Sequence, residues 1–331
     1  MMSIVLEDLI ITHPNNKIFI AIFSMLLGIV FVDFYGVIVK FLGNKYPSPQ
    51  LAFFRNFFAL LPIIFLLLVT KSFPDLFTKI SRKFIFLCFL RGISFVLMQI
   101  FYYIAIINMN FATATTLTFS SPIFIVILSM IILREKIGFF RWFAIFIGFV
   151  GVLIIMNPTN EVFSLFSILP LLAALFWAIS NIVLKFIPEN ISSVKINFYS
   201  INFSYLGSIV ILFSTSEFSG VENSLDWLLL ILVGILGGFA SILFSYAYRV
   251  ISPSTLAPFE YLGIPSSFIL GWIFFYEAPI EQLFPGVIGI VIAGFIIIWR
   301  ENKLSIKSKD PKNYSNNFHY HLHFKFFDLI L

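Results

Sequence analysis

Ten apolar runs, each close to the length a helix needs to cross a hydrocarbon core, constrain this chain more than any other feature. Such a crossing takes about 20 mostly apolar residues. Windows of that kind fall at 18–39, 50–70, 84–107, 112–133, 142–158, 164–184, 196–214, 227–248, 255–276 and 283–299. The connections between them are short, so no soluble domain is inserted. Composition points the same way, with 60% apolar or aromatic residues and only 11% charged. Soluble globular chains are nearer a quarter charged, and disordered ones are poorer still in apolar residues. A single cysteine, Cys88, leaves no internal disulfide and no thiolate metal cluster. The net charge of +5 does not indicate nucleic acid, because the basic residues fall in short bursts between apolar runs rather than on one solvated face. The chain is predicted to be an all-α integral membrane protein of ten transmembrane helices, with the lipid bilayer as its solvent.

Lys and Arg are retained on the cytoplasmic side of short loops. If residues 1–17 form a cytoplasmic segment, the cytoplasmic connections and the tail from 300 to 331 carry Lys17, Lys71, Lys79, Arg82, Lys83, Arg134, Lys136, Arg141, Lys185, Lys195, Arg249, Arg300 and further lysines. The opposite side carries only Lys40 and Lys45. Ten spans with both termini cytoplasmic, in the inner (plasma) membrane, satisfy this alternation. Residues 1–16 hold Glu7 and Asp8 rather than a basic n-region, so the first helix is expected to serve as an uncleaved signal.

An internal repeat divides the chain. A shift of 143 residues pairs Phe101 with Phe244, Tyr103 with Tyr246, Ala114 with Ala257, Pro122 with Pro265 and Gly151 with Gly294. One further gap pairs Glu135 with Glu277. The halves are 18–158 (helices 1–5) and 164–299 (helices 6–10). Five is odd, so the second half enters the membrane from the opposite side, giving two inverted five-helix repeats. Inverted halves around one midplane site are a recurring device of secondary transporters. Gly148 and Gly151 in helix 5, with Gly289 and Ala293 in helix 10, form small-residue faces suited to close packing. They suggest a homodimer through these two helices.

Four charges lie inside predicted spans: Asp33, Arg55, Arg91 and Glu260. An ionised group at membrane depth is costly unless it faces a cavity or a partner. Asp33 and Arg55 lie at similar depth on antiparallel neighbours, and Arg91 and Glu260 share the opposite depth, so each pair is available to meet. They either gate a pathway and touch a charged substrate, or pair structurally. Polar and aromatic residues for a central site are Gln99, Tyr102, Tyr103, Thr116, Ser120, Trp177, Asn181, Asn202, Tyr205, Tyr246 and Tyr261. An aromatic box suits a sulfonium or amine, although the same rings also serve to pack helices. Pro122 and Pro265 sit mid-span at matching repeat positions as helix kinks, since proline lacks the amide hydrogen and crowds the preceding turn.

Several stretches carry a resemblance. They are FFRNFF at 53–58, FLRG at 89–92, the run NFATATTLTFSSPIFIVILSMIILREKIGFFRWFAIFIGFVGVLII at 110–155, and STLAPFEYLGIPSSFILGWIFFYEAP at 254–279. In order and spacing the chain resembles the drug/metabolite transporter superfamily, with two EamA-type repeats. The resemblance implies a secondary transporter that moves a small-molecule substrate by alternating access, with no cofactor and no enzymatic activity. The arginine near the start of helix 3 and the ATAT…SxP run resemble the S-adenosylmethionine uptake subgroup. Riboflavin importers and amino-acid or amine exporters share much of the pattern. The chain departs from that subgroup at Gly263, where an acid is usual, and carries Glu260 before Tyr261 instead.

A polytopic membrane enzyme would need His, Asp or Glu gathered at one depth. No span contains a histidine, and the two intramembrane acids lie at opposite depths. The missing P-loop excludes self-contained ATP-driven pumping. His319, His321 and His323 alternate in the tail, which is read as a loosely membrane-associated or disordered segment rather than a metal site.

Overall fold

The computed structural model describes residues 14–78, 80–156, 165–215 and 218–276, and scattered positions between 288 and 299. Residues 1–13, Glu277, most of the tenth predicted span and the histidine-bearing tail lie outside the described residues. Among the described residues every regular element is helical: α1 (Pro14–Leu42), α2 (Ser48–Val69), α3 (Arg82–Asn108), α4 (Phe111–Thr118), α5 (Ser121–Ile131), α6 (Phe139–Met156), α7 (Ile168–Val183), α8 (Ser193–Thr215), α9 (Ser224–Val250), α10 (Pro253–Glu260) and α11 (Gly263–Phe275). Seven stretches are long and apolar enough to cross a membrane, running over Ile18–Leu42, Ser48–Val69, Arg82–Asn108, Thr113–Ile131, Ile168–Phe186, Ser193–Thr215 and Ser224–Val250. The fifth predicted span corresponds to α6, whose apolar part, Phe139–Gly151, is shorter. The ninth corresponds to α10 and α11, neither of which reaches crossing length alone.

Local chemistry accounts for the helix ends. Ser81 accepts the Phe84 amide at 3.0 Å ahead of α3, and Asn223 accepts the Leu225 amide at 3.1 Å ahead of α9. Each satisfies an amide that would otherwise lack a partner in the first helical turn. The fourth and ninth predicted spans are interrupted, α4 ending at Thr118 and α10 at Glu260. A proline removes the hydrogen bond to the carbonyl four residues back and clashes with it. For Pro122 that residue is Thr118, and for Pro265 it is Tyr261, just past the end of α10. The two breaks therefore fall where proline chemistry puts them.

Packing is organised around α9, which lies against α1 and α2. The close approach to α2 rests on glycine. A Cβ added to Gly234 would lie 2.2 Å from the Cβ of Phe58, and one on Gly238 would lie 2.6 Å from the Ala59 carbonyl. On the other side α8 packs on α2 and α3, and α3 packs on α7. There Gly92 of α3 sits against the Ser200 carbonyl, while Gly207 of α8 faces Val96. Small residues let backbones approach in lipid, where apolar burial alone supplies little drive. The broken elements complete the bundle: α5 packs against α7 and α10, and α11 against α1 and α4. The small residues of helices 5 and 10 are used within the chain. Gly148 faces the Tyr261 ring, and Gly289 faces Gly151 and the Ile147 carbonyl.

Candidate functional site

The two interrupted spans meet α1, α3, α7 and α9 around a central cavity of about 90 Å³. Its walls include Asp33 and Tyr35 from α1, Met98 and Tyr102 from α3, Thr115 and Thr118 from α4, Ser121 from α5, Trp177 from α7, Phe244 from α9 and Glu260 from α10. Phe119, in the break between α4 and α5, also lines it. Two carboxylates therefore share one aromatic chamber, and no lysine or arginine is among its lining residues.

Glu260 closes α10 and is 4% exposed. Its carboxylate accepts from Ser121 at 2.5 Å, from the Trp177 indole at 2.8 Å and from the Tyr248 hydroxyl. Ser121 is the first residue of α5, so the acid ties one broken span to the other and both to α7 and α9. Trp177 is fixed in turn by an edge-on contact with Phe244, their ring centres 4.8 Å apart. Asp33 is 3% exposed and accepts from Ser266, just past Pro265 in α11. Each acid thus reaches a residue in the first turn of the second piece of a broken span.

The arginines face elsewhere. Arg55 is 1% exposed and donates to the Gly237 carbonyl at 2.8 Å, to Ser241 at 3.1 Å and to Asn56 at 3.1 Å. Its guanidinium lies 4.8 Å from the centre of the Phe95 ring, within the range of cation–π attraction. Gln99 belongs to this cluster rather than to the cavity wall, joined to Asn56 at 2.8 Å. Arg91 donates to Asn197 at 3.2 Å and Ser245 at 2.8 Å. The expected pairings of Asp33 with Arg55 and of Arg91 with Glu260 do not form. Gly237 leaves room for the Arg55 side chain against α9, since a Cβ there would lie 2.5 Å from its Nε. Arg91 and Glu260 instead meet two neighbouring turns of α9, at Ser245 and Tyr248.

The other predicted positions divide. Trp177 and Tyr102 line the cavity; Tyr103, Tyr246 and Tyr261 do not, and their hydroxyls make no hydrogen bond among the described residues. Ser120 stands in the first break, while its neighbour Ser121 makes the bond to Glu260. Asn181 and Asn202 donate to carbonyls of their own helices, at Trp177 and Phe198. Thr116 is buried but lies outside the cavity wall. Tyr205 packs on Phe53 and Phe57. Sequence reasoning missed Tyr35, Ser121, Tyr248 and Ser266. Only the adjacency of Ser121 and Ser266 to Pro122 and Pro265 signalled any of them.

At the Lys45 end of the molecule, Lys45 pairs with Asp226 at 3.1 Å and the Tyr46 hydroxyl donates to the same carboxylate at 2.8 Å. Burial, reinforced by Asp226, pushes the Tyr46 phenol up to about 12. It remains a donor throughout the physiological pH range.

Comparison with known proteins agrees with this architecture. The EamA-like transporter family matches residues 19–157 and 165–299. An S-adenosylmethionine uptake transporter of Rickettsia prowazekii (strain Madrid E) is 28% identical over 86% of this chain and 94% of its own length. A riboflavin transporter of Vibrio cholerae is 32% identical over 56% of this chain and 62% of its own length. A pseudopaline exporter of Pseudomonas aeruginosa is 25% identical over 77% of this chain and 88% of its own length. One crystal structure shares the fold with a TM-score of 0.67 at 16% identity, covering 88% of this chain and 99% of that one. The chain belongs to the EamA-like transporter family of the drug/metabolite transporter superfamily, and is a multi-pass membrane transporter of small metabolites rather than an enzyme.

Proposed function

We propose that this transporter carries an organic cation, S-adenosylmethionine or a similar nucleoside- or amine-bearing compound, by alternating access about the central cavity. The observation that carries the reading is the pair of carboxylates, Asp33 and Glu260, in an aromatic chamber with no cationic side chain in its wall. Bringing a cation there offsets the cost of holding charge away from water. The Trp177, Tyr102 and Phe244 rings add attraction for a sulfonium or ammonium group and a surface for a base to stack on. The relatives named as S-adenosylmethionine uptake transporters match nearly the whole chain and favour the same substrate. A neutral flavin would stack on the same rings but has no use for two carboxylates.

The cavity supports alternating access by its size. Small-molecule sites usually enclose about 300–1,000 Å³, well above the volume here. The helices must part for a nucleoside-sized ligand to enter. Two inverted five-helix repeats, 18–158 and 164–299, supply that motion in this reading. Their support is threefold: the family match falls in two segments with nearly the same limits, both mid-repeat helices are broken ahead of a proline, and the packing is reciprocal. When α1, α2 and α3 are exchanged with α7, α8 and α9, the contact of α1 with α9 becomes that of α7 with α3, and that of α2 with α9 becomes that of α8 with α3. In this reading both termini lie in the cytoplasm and the protein in the inner membrane, and the distribution of basic residues supports that orientation. A homodimer through helices 5 and 10 would use their outer faces, where Phe143, Phe146 and Phe295 are exposed.

Reconstituted proteoliposomes test the substrate. Saturable uptake of labelled S-adenosylmethionine, inhibited by other sulfonium or amine nucleosides and insensitive to riboflavin, is expected. Saturable riboflavin uptake that organic cations do not inhibit would overturn the cationic reading.

A further inference from the structure

A groove of about 470 Å³ runs along the first turns of α3, on the side that faces α8. Arg82, Ile85, Phe86 and Phe89 line it at helical spacing and so stand on one face of α3. Phe203 of α8 closes its inner end, edge-on to Phe89 with ring centres 5.5 Å apart. Ile80 and Ser81 form the outer end, and no carboxylate lines the groove. Arg82 is exposed and makes no hydrogen bond or ion pair among the described residues. The Ser81 oxygen accepts the Phe84 amide at 3.0 Å, which leaves its own hydrogen to donate.

The groove is graded along the membrane normal. α3 has 27 residues, about 40 Å of helix, against a hydrocarbon core about 30 Å thick. A helix centred on that core extends about 5 Å beyond it at each end, which puts Arg82 at the level of the lipid headgroups. Phe89, seven residues on, then lies about 6 Å inside the hydrocarbon. A cation and a hydroxyl outside, with Ile85 and aromatic rings inside, is the order of a phospholipid's phosphate and upper acyl chains. The connection ahead of α3 adds charge of the same sign, since residues 70–84 hold Lys71, Lys79, Arg82 and Lys83 against the single acid Asp75. Basic residues so close to the membrane surface attract anionic headgroups.

We propose that this groove is a binding site for one anionic phospholipid. Its phosphate sits between the Arg82 guanidinium, whose planar fork suits phosphate oxygens, and the Ser81 hydroxyl. One acyl chain lies over Ile85 and Phe89 and ends against Phe203. Arg82 sets the preference for a headgroup of net negative charge, because a zwitterionic lipid brings its own cation beside the guanidinium. The bound lipid spans α3 and α8, whose backbones meet one turn further on, where Gly92 sits against the Ser200 carbonyl. It braces that contact from the lipid side. The site is separate from the central cavity and does not depend on which substrate the protein carries.

Native mass spectrometry of the purified full-length protein, equilibrated in detergent with equal amounts of phosphatidylglycerol and phosphatidylcholine, reads the preference. The wild type is expected to retain phosphatidylglycerol by about 5-fold over phosphatidylcholine, the attraction of one basic residue for an anionic headgroup. Arg82→Gln should bring the ratio close to parity, and Arg82→Lys should keep about half of it. Lys71→Gln removes an equal charge from an exposed position outside the groove wall. It should leave the ratio within about 1.5-fold of wild type, which separates a site from general attraction. Ile85→Trp fills the groove and should lower retention of both lipids by at least about 3-fold. Equal wild-type retention of the two lipids, equal effects of Arg82→Gln and Lys71→Gln, or undiminished retention by Ile85→Trp would overturn the site. Displacement of the lipid by millimolar glycerol phosphate would assign the contact to a free phosphate and likewise overturn it.

Discussion

Glu260 shows what a charged side chain inside a membrane needs in order to be kept. One oxygen accepts from Trp177 and Tyr248, the other from Ser121. A glutamine can keep the same shape, because its carbonyl serves the first pair and its amide donates to the Ser121 hydroxyl, which turns to accept. Glu260→Gln is therefore expected to leave abundance and thermal stability near wild type while weakening binding of an organic cation by at least about 10-fold, measured by titration. Equal loss of folded protein would mark the residue as structural. Arg55 and Arg91 follow a different rule, their charge spread over carbonyls, amides and hydroxyls of neighbouring helices. They hold α9 to α2, α3 and α8. Gly237→Ala places a methyl against Arg55, and overpacking of this kind costs about 1–3 kcal/mol. The expected result is a lower unfolding temperature in detergent, with ligand affinity reduced only in proportion to the folded fraction.

At the scale of elements, the two broken spans bring helix ends to the middle of the bundle, where Glu260, Ser121 and Ser266 meet the cavity region. Unsatisfied backbone at membrane depth is tolerated only beside protein or a cavity, and both breaks lie beside one. Pro122→Ala and Pro265→Ala each restore an amide able to bond four residues back, so the helices can run on. Either change is expected to lower transport in proteoliposomes by about an order of magnitude without lowering thermal stability. Undiminished transport by both variants would show that the breaks are not needed for the cycle. Proline alone does not make a break, because Pro62 lies within an uninterrupted α2. There it packs against Gly238 of α9.

For the molecule as a whole, the prediction concerns orientation. Cys88 is buried and is the only cysteine in the chain, so Cys88→Ala provides a background for labelling. Gly220 has open space around it and precedes α9, and Glu189 is exposed between α7 and α8. On the inside-terminus reading, Gly220→Cys reacts with a membrane-impermeant maleimide in spheroplasts, whereas Glu189→Cys reacts only after permeabilisation. The reverse pattern would invert the topology. The small central cavity adds an expectation for the same cells: saturating ligand should change the labelling rate of Thr113→Cys severalfold as the helices around the cavity part.

Much of this protein was legible in the sequence because lipid makes the governing signals local. Each apolar run reports its own burial, a proline acts on a residue four positions back, and basic residues report the side of the membrane on which they remain. The membrane class, the helical content and the four intramembrane charges follow from such signals, whereas the transporter character rested on the internal repeat and the family resemblance. Which of those charges meet was decided only in three dimensions. Arg55 turns from Asp33 to an α9 carbonyl 182 residues away, in space left by the missing side chain of Gly237. Tyr103 and Tyr261 fit the pattern of a binding aromatic but are buried in packing, while Tyr35 and Phe244 line the cavity. Helical spacing says which residues share a face, but not which face the neighbouring helices leave open. That choice belongs to the packing of the bundle, and it separates the residues of the site from those that merely resemble them.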